Sequence, residues 1–212
     1  MIVYLVRHGE TAYNRDGRGL GRTDIPLTAL GEAQAAALGG RLANAPMARV
    51  LSSPLARARQ TALAIAGERP VPVEWCEALT EMDVGETDGL ALPELRAAFP
   101  DFMERWSGPG CASVRMPGGG ESLDDVAARL EPLMEELRAA SDTAVAVVSH
   151  NFTLKVLLCR LLGVEVAKFR TLTLDLASLT TLSLRDGRIS VRGMNDCCHL
   201  GGLNLDPGQG SV

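Results

Sequence analysis

The chain has 212 residues, 46% hydrophobic and 22% charged, with only 4% aromatics and a formal net charge of −5. That length suits one α/β domain whose core needs no covalent staples. The mild acidity, the near absence of Lys and the dispersed Arg speak against nucleic-acid or membrane-surface binding, so any anion site must be a local pocket. The five Cys include no C-x-x-C pair, which reads as free thiols in a reducing compartment. The N-terminus lacks a basic start and a cleavage-like site, and no apolar run reaches spanning length, so a cytoplasmic location is expected.

Residues 2–6 form an apolar, β-branched run suited to a strand covered on both faces, and it stops at Arg7-His8-Gly9. Thr28 can N-cap a helix with Glu32 in its first turn, and Leu30, Ala33, Ala37, Leu38 and Leu42 mark its inner face. A short strand at 49–51 precedes a helix with Pro54 as its first residue and Gly67 at its end. Its face is Leu55, Ala58, Ala62 and Ile65. Residues 71–76 read as a strand. Residues 83–120 are the least regular part, with a helix around 93–105 and a Gly/Pro-rich stretch of the kind that forms lids. Ser122 and Asp125 make a capping box for a helix with Val126, Leu130, Leu133 and Leu137 inside. A second apolar strand at 144–148 ends at Ser149-His150, and a helix follows through 152–162. Residues 178–194 read as a hairpin turning at Asp186-Gly187, and the tail from 201 is expected to fray.

Two of the three histidines, His8 and His150, thus follow apolar strands, where open α/β sheets bind ligands. Arg57, in the first turn of its helix, opposes the helix dipole unless it faces an anion together with Arg7. His199 lies in "DCCHL", too crowded for ordinary zinc-ligand spacing, and reads as structural.

"LVRHGET" followed by Asn14, then "SSPLARARQTA", "LTEMDVGETDG", "PGGGES" and "VVSH", resemble in order the motifs of the histidine phosphatase superfamily, in its phosphoglycerate mutase-like branch. The resemblance runs from residue 1 to about His199. It implies a single domain over 1–212, a three-layer α/β/α sandwich around a mostly parallel mixed sheet, with 83–120 as an inserted lid-like segment. It implies His8 as nucleophile, with Arg7, Arg57 and His150 around the phosphoryl oxygens. Glu81 would be the general acid and base, and Asn14, Gly21 and Asn151 would touch substrate. Gly9 would leave room for backbone to approach the phosphate, and the helix starting near Asn151 would add N–H groups and a favourable dipole. No metal and no cofactor is expected, because arginines and histidines supply the positive charge. Leu20, Arg22 and Asn151 depart from residues common in the family, which bears on specificity.

The expected function is a metal-independent phosphatase acting on a small phosphomonoester through phosphohistidine. The alternatives are a 2,3-bisphosphoglycerate-dependent phosphoglycerate mutase and a non-catalytic phosphate-ligand sensor. Against the mutase stands the insertion after Glu81, which offers only the separated Arg105 and Arg115 for a substrate carboxylate. The intact set Arg7, His8, Arg57, Glu81 and His150 argues against the sensor. The expected partner is a small phosphorylated metabolite, with no nucleic acid and no membrane, and a homodimer remains open.

Overall fold

The two apolar runs lie side by side. β1 (Ile2–Arg7) pairs in parallel with β4 (Ala144–Ser149), and the register places Arg7 opposite Ser149. The residues that follow, His8 and His150, therefore leave the sheet at the same edge. The computed structural model describes residues 1–185 and 187–203. Its six-stranded sheet has the order β3-β2-β4-β1-β5-β6, completed by β2 (Arg49–Ser52), β3 (Val73–Trp75), β5 (Leu179–Arg185) and β6 (Arg188–Asp196). β3, β2, β4 and β1 run parallel, and β5 and β6 are antiparallel additions.

Alternation along the strands sorts the core into two layers. Val6, Val50, Ala146 and Val148 pack with α2 (Ala29–Leu42) and α3 (Ala56–Ala66) on one face. Val3, Leu5, Val145 and Val147 pack with α6 (Leu123–Ala139) and α7 (Asn151–Leu162) on the other. This is a three-layer α/β/α sandwich. The chain leaves β1 towards α2 and β4 towards α7, so neighbouring strands send their connections to opposite faces. A crevice opens at such a switch point.

Several boundaries differ from expectation for physical reasons. α3 begins at Ala56, not at Pro54, because Asp24 Oδ1 accepts the Ala56 N–H at 2.7 Å from a distant loop. In α2 Ala33 is exposed, and Gly31, Gln34 and Ala35 join Leu38 and Leu42 inside; buried Gln34 accepts the Glu10 N–H at 2.8 Å. The single helix expected around 93–105 is two, α4 (Leu92–Ala98) and α5 (Pro100–Ser107). Phe99, forced out of helical geometry by Pro100, separates them. β3 is shorter than 71–76. A four-residue α1 (Ala12–Arg15) follows the His8 loop. The capping box of α6 and its buried Val126, Leu130, Leu133 and Leu137 are as expected. Gly187 takes the positive φ that a hairpin turn requires, while Asp186 and the tail from 204 lie outside the described residues. Among the described residues, no helix is long and apolar enough to cross a membrane.

Candidate active site

His8 is 3% exposed, and its imidazole is oriented by its own chain. The Gly9 carbonyl oxygen lies 2.7 Å from Nδ1, and a carbonyl only accepts, so Nδ1 carries the proton. The Nε2 lone pair is thereby free, with no hydrogen-bond partner among the described residues. Burial first, then Arg57 and Arg7, holds the His8 pKa well below 6.5, so the ring is neutral at neutral pH.

The loop carrying His8 is clamped from both helices beneath it. Gly9 N–H donates to Thr61 Oγ1 of α3 at 3.3 Å, and Thr28 Oγ1 at the start of α2 donates to Glu10 Oε1 at 2.7 Å. The glycine at position 9 also serves this clamp, a packing reason for it that the sequence alone does not show. A Cβ there would fall 2.5 Å from the Gly31 carbonyl oxygen, and a Cβ on Gly31 would collide with the Glu10 carbonyl oxygen. Gly31→Ala is accordingly expected to cost about 1–3 kcal/mol, the usual penalty of overpacking, and to lower activity by tilting the His8 loop. Thermal unfolding checks this; an unchanged Tm would contradict the close packing.

His150 is fully buried and its ring centre lies 5.1 Å from that of His8. Arg57 Nε–H donates to its Nδ1 at 3.1 Å, so its proton is on Nε2, which donates to Ser53 Oγ at 2.7 Å. Both ring nitrogens are engaged, and a phosphoryl oxygen must replace Ser53 Oγ to receive the Nε2–H. Ser53 was not legible as a site residue. Its contact spans 97 positions.

Arg57 is completely buried, and its other bonds go to the carbonyls of Thr23 (2.9 Å) and Gly21 (2.7 Å). Three of its five N–H groups are thus committed, leaving two for a ligand. Arg7 donates to the Leu174 carbonyl at 2.6 Å, while its buried Nε has no partner among the described residues. Burial pulls both guanidinium pKa values down to about 10, which leaves them cationic at neutral pH. Two buried cations face a neutral imidazole, a setting ready for a multivalent anion.

Glu81 is 3% exposed, and its carboxylate occupies the start of α7. Oε1 accepts from Met82 N–H (2.8 Å) and Thr153 N–H (3.1 Å), and Oε2 accepts from Phe152 N–H (3.2 Å); the single Thr153 Oγ1 proton is shared between Oε1 (3.1 Å) and the Thr80 carbonyl oxygen (2.8 Å). The α7 amides of Phe152 and Thr153 are therefore taken by Glu81 and not left for phosphate, a correction to the expected role of this helix start. Ser149 Oγ pins the Leu79 carbonyl at 2.6 Å, and Arg129 Nη2 pins that of Thr80 at 2.8 Å, fixing the acid's backbone. Arg129 also bonds Glu121 (3.0 Å), which pairs with Arg22 (3.2 Å).

The three further residues are placed unequally. Thr11 N–H and Oγ1 donate to Asn14 Oδ1 at 3.1 and 2.8 Å, which fixes the amide and leaves its nitrogen as a donor. The Gly21 N–H is already bound to Asp88 Oδ1 at 3.1 Å, so Gly21 serves to seat Arg57 and has no amide spare for substrate. Asn151 Oδ1 is buried without a partner among the described residues. His199, outside the site, bonds the Ala177 carbonyl oxygen at 3.0 Å through Nε2. Among the described residues, no group of His, Cys, Asp and Glu is arranged to hold a metal ion.

The family model of the histidine phosphatase superfamily (branch 1) matches residues 3–197. Phosphoserine phosphatase 1 of Hydrogenobacter thermophilus is 34% identical, with 93% of each chain covered. A 2,3-bisphosphoglycerate-dependent phosphoglycerate mutase of Gloeobacter violaceus is 35% identical over 76% of this chain and 75% of its own. Among solved structures, a mycobacterial glucosyl-3-phosphoglycerate phosphatase superposes with a TM-score of 0.82 at 32% identity, covering 92% of this chain and 98% of that one. With an imidazole, two buried guanidiniums and a carboxylate converging at the β1/β4 edge, the chain belongs to the histidine phosphatase superfamily and is a phosphoric monoester hydrolase of that family.

Proposed function

We propose that the chain hydrolyses a small phosphomonoester in two steps through a phosphohistidine on His8, without a metal. The observation that carries this reading is the fixed tautomer of His8. Its Nδ1–H is committed to the Gly9 carbonyl oxygen, and its Nε2 lone pair stands free beside Arg7 and Arg57. In the first step an Nε2–P bond forms as the P–O bond to the alcohol breaks, and Glu81 gives its proton to the leaving oxygen. In the second step the Glu81 carboxylate takes a proton from water, the water oxygen bonds to phosphorus, and the N–P bond breaks. Arg7, Arg57 and His150 balance the charge on the phosphoryl oxygens.

The relatives are named for phosphoserine and for glucosyl-3-phosphoglycerate, and small phosphate esters of this kind are the substrates to try first. The test is turnover of a nitrophenyl phosphate in excess chelator, followed by acid and base quenches of the enzyme. Undiminished turnover and an acid-labile, base-stable phosphate on His8 are expected. Loss of activity restored by a divalent ion would overturn metal independence, and an acid-stable phosphate on Ser52 or Ser53 would overturn the nucleophile. The mutase reading has a named relative in its favour. Against it, Arg105 is exposed and Arg115 is paired with Asp125 at 3.0 Å. A mutase assay with and without bisphosphoglycerate separates the two.

A further inference from the structure

Beside α7 lies a cavity of about 250 Å³. Leu92, Met103 and Trp106 form its apolar wall, and Arg96, Lys155 and Arg170 supply three cations with no carboxylate among the lining residues. Lys155 is the anomaly. It is 2% exposed, yet its ammonium makes no hydrogen bond or ion pair among the described residues and lies 6.0 Å from the centre of the Phe169 ring. A lysine that merely covers apolar surface keeps its head in water; this one keeps it against a cavity. Burial, with Arg7 adding to it, pulls the Lys155 pKa down to about 8. A buried cation with no carboxylate in direct contact is costly unless an anion arrives to meet it.

The cavity is linked to the catalytic cluster through α7 and through Trp106. Lys155 follows Asn151 by four positions on α7, so the two share a helix face. Arg7 and Arg170 act on its ammonium against its charge, and Glu81 and Asp175 act for it from beyond contact distance. Trp106 packs edge-on against Phe152 at 6.2 Å, and Phe152 N–H is the donor to Glu81 Oε2. Arg170 is held ready: its Nη2 donates to the Trp106 carbonyl oxygen at 2.9 Å, and its guanidinium stacks 4.5 Å from the Phe169 ring centre. The volume falls below the roughly 300–1,000 Å³ of pockets that engulf drug-sized ligands, so it suits a small end group and not a nucleotide.

We infer that this cavity receives a second anionic group, a carboxylate or a second phosphate, on the non-reacting end of the substrate, with Lys155 as its central counter-charge and Arg170 and Arg96 flanking. The inference rests on the phosphatase reading and adds the substrate's charge to it. Lys155 is then a specificity residue that takes no part in the bond changes.

The experiment measures kcat and KM of the wild type and of Lys155→Met for matched pairs. Phosphoserine against phosphoethanolamine, and 3-phosphoglycerate against glycerol 3-phosphate, differ by a carboxylate. Propanediol bisphosphate against the monophosphate reads the second-phosphate source, and nitrophenyl phosphate is the reference. The wild type should prefer the anionic member of at least one pair. Lys155→Met should remove that preference by roughly 10–100-fold, as for a lost hydrogen bond to a charged group, mainly through KM. Nitrophenyl phosphate turnover should stay within about threefold. Methionine keeps the unbranched stem, so the fold should hold; Arg96→Gln, at an exposed position, should give a smaller loss confined to the same anionic members. If the wild type hydrolyses nitrophenyl phosphate but ignores charge in every pair, the subsite is refuted and the phosphatase stands. Equal losses on all substrates refute it too. If nitrophenyl phosphate is not hydrolysed at all, the phosphatase reading itself falls and takes the subsite with it.

Discussion

His8→Ala should abolish turnover, with a loss on the order of 10⁴–10⁶-fold, as when a nucleophile that acts as part of a unit is removed. The fold should survive, since Gly9 and Glu10 stay clamped by Thr61, Gln34 and Thr28 without the ring. A variant retaining more than a few per cent of activity, with unchanged thermal unfolding, would exclude His8 as the nucleophile. The same imidazole sets the pH dependence. Attack needs the neutral ring, and burial with two neighbouring arginines holds its pKa well below 6.5. The acid limb of kcat/KM should therefore lie below pH 6.5. Stability follows the same sign for His8 and His150, both depressed in the folded state, with burial the largest cause in each. Their contribution is complete above 6.5. It falls as the unfolded chain takes up protons that the folded chain refuses, by about 1.4 kcal/mol per pH unit per histidine, until the folded values are reached. His8→Ala should thus flatten the loss of stability below pH 6.5, which denaturant unfolding at a series of pH values would measure.

What the sequence made legible is what local chemistry encodes. The two strands that end at His8 and His150 show as apolar runs, and the capping boxes and inner faces of the helices follow fixed spacings. Arg57 is two-faced in sequence, because a cation at a helix start reads as a solvated residue or as an anion ligand. Only its complete burial and its bond to His150, 93 positions away, decide. The partners of Glu81 on α7 are likewise long-range, 71 and 72 positions distant, and no periodicity marks Thr153 as a hydrogen-bond donor to the acid. Gly31 hides for a similar reason, since a glycine inside a helix start looks like a weak helix former until the Glu10 backbone is laid across it. The break at Pro100 was missed, although the residue before a proline leaves helical geometry and marks it. Lys155 was invisible: a lone lysine inside an apolar helix pattern carries no signal of the cavity it lines.

Glu81→Gln should separate substrates by their leaving groups. The backbone partners of the carboxylate are all donors, two on Oε1 and one on Oε2, and Oε1 also shares the Thr153 hydroxyl proton with the Thr80 carbonyl oxygen. A glutamine keeps the richer set by placing its carbonyl oxygen at Oε1, and its amide nitrogen then opposes only the Phe152 N–H. The local cost is that of one unsatisfied donor, about 1–3 kcal/mol, so the side chain should stay in place. The less occupied Oε2 is the oxygen with room to carry a proton. An alkyl alcohol leaves poorly without that proton, whereas nitrophenolate leaves well without help. Hydrolysis of an alkyl phosphate should therefore slow by roughly 10²–10⁴-fold, the usual range of general acid catalysis. Phosphoenzyme formation from a nitrophenyl phosphate should slow far less, and the breakdown of phosphohistidine should become limiting, because water loses its base. Rapid-quench measurement of the two steps reads both effects. An equal slowing of phosphoenzyme formation for both substrates would show that Glu81 is not the acid, and would move that role to His150, whose Nε2–H is released once Ser53 Oγ is displaced.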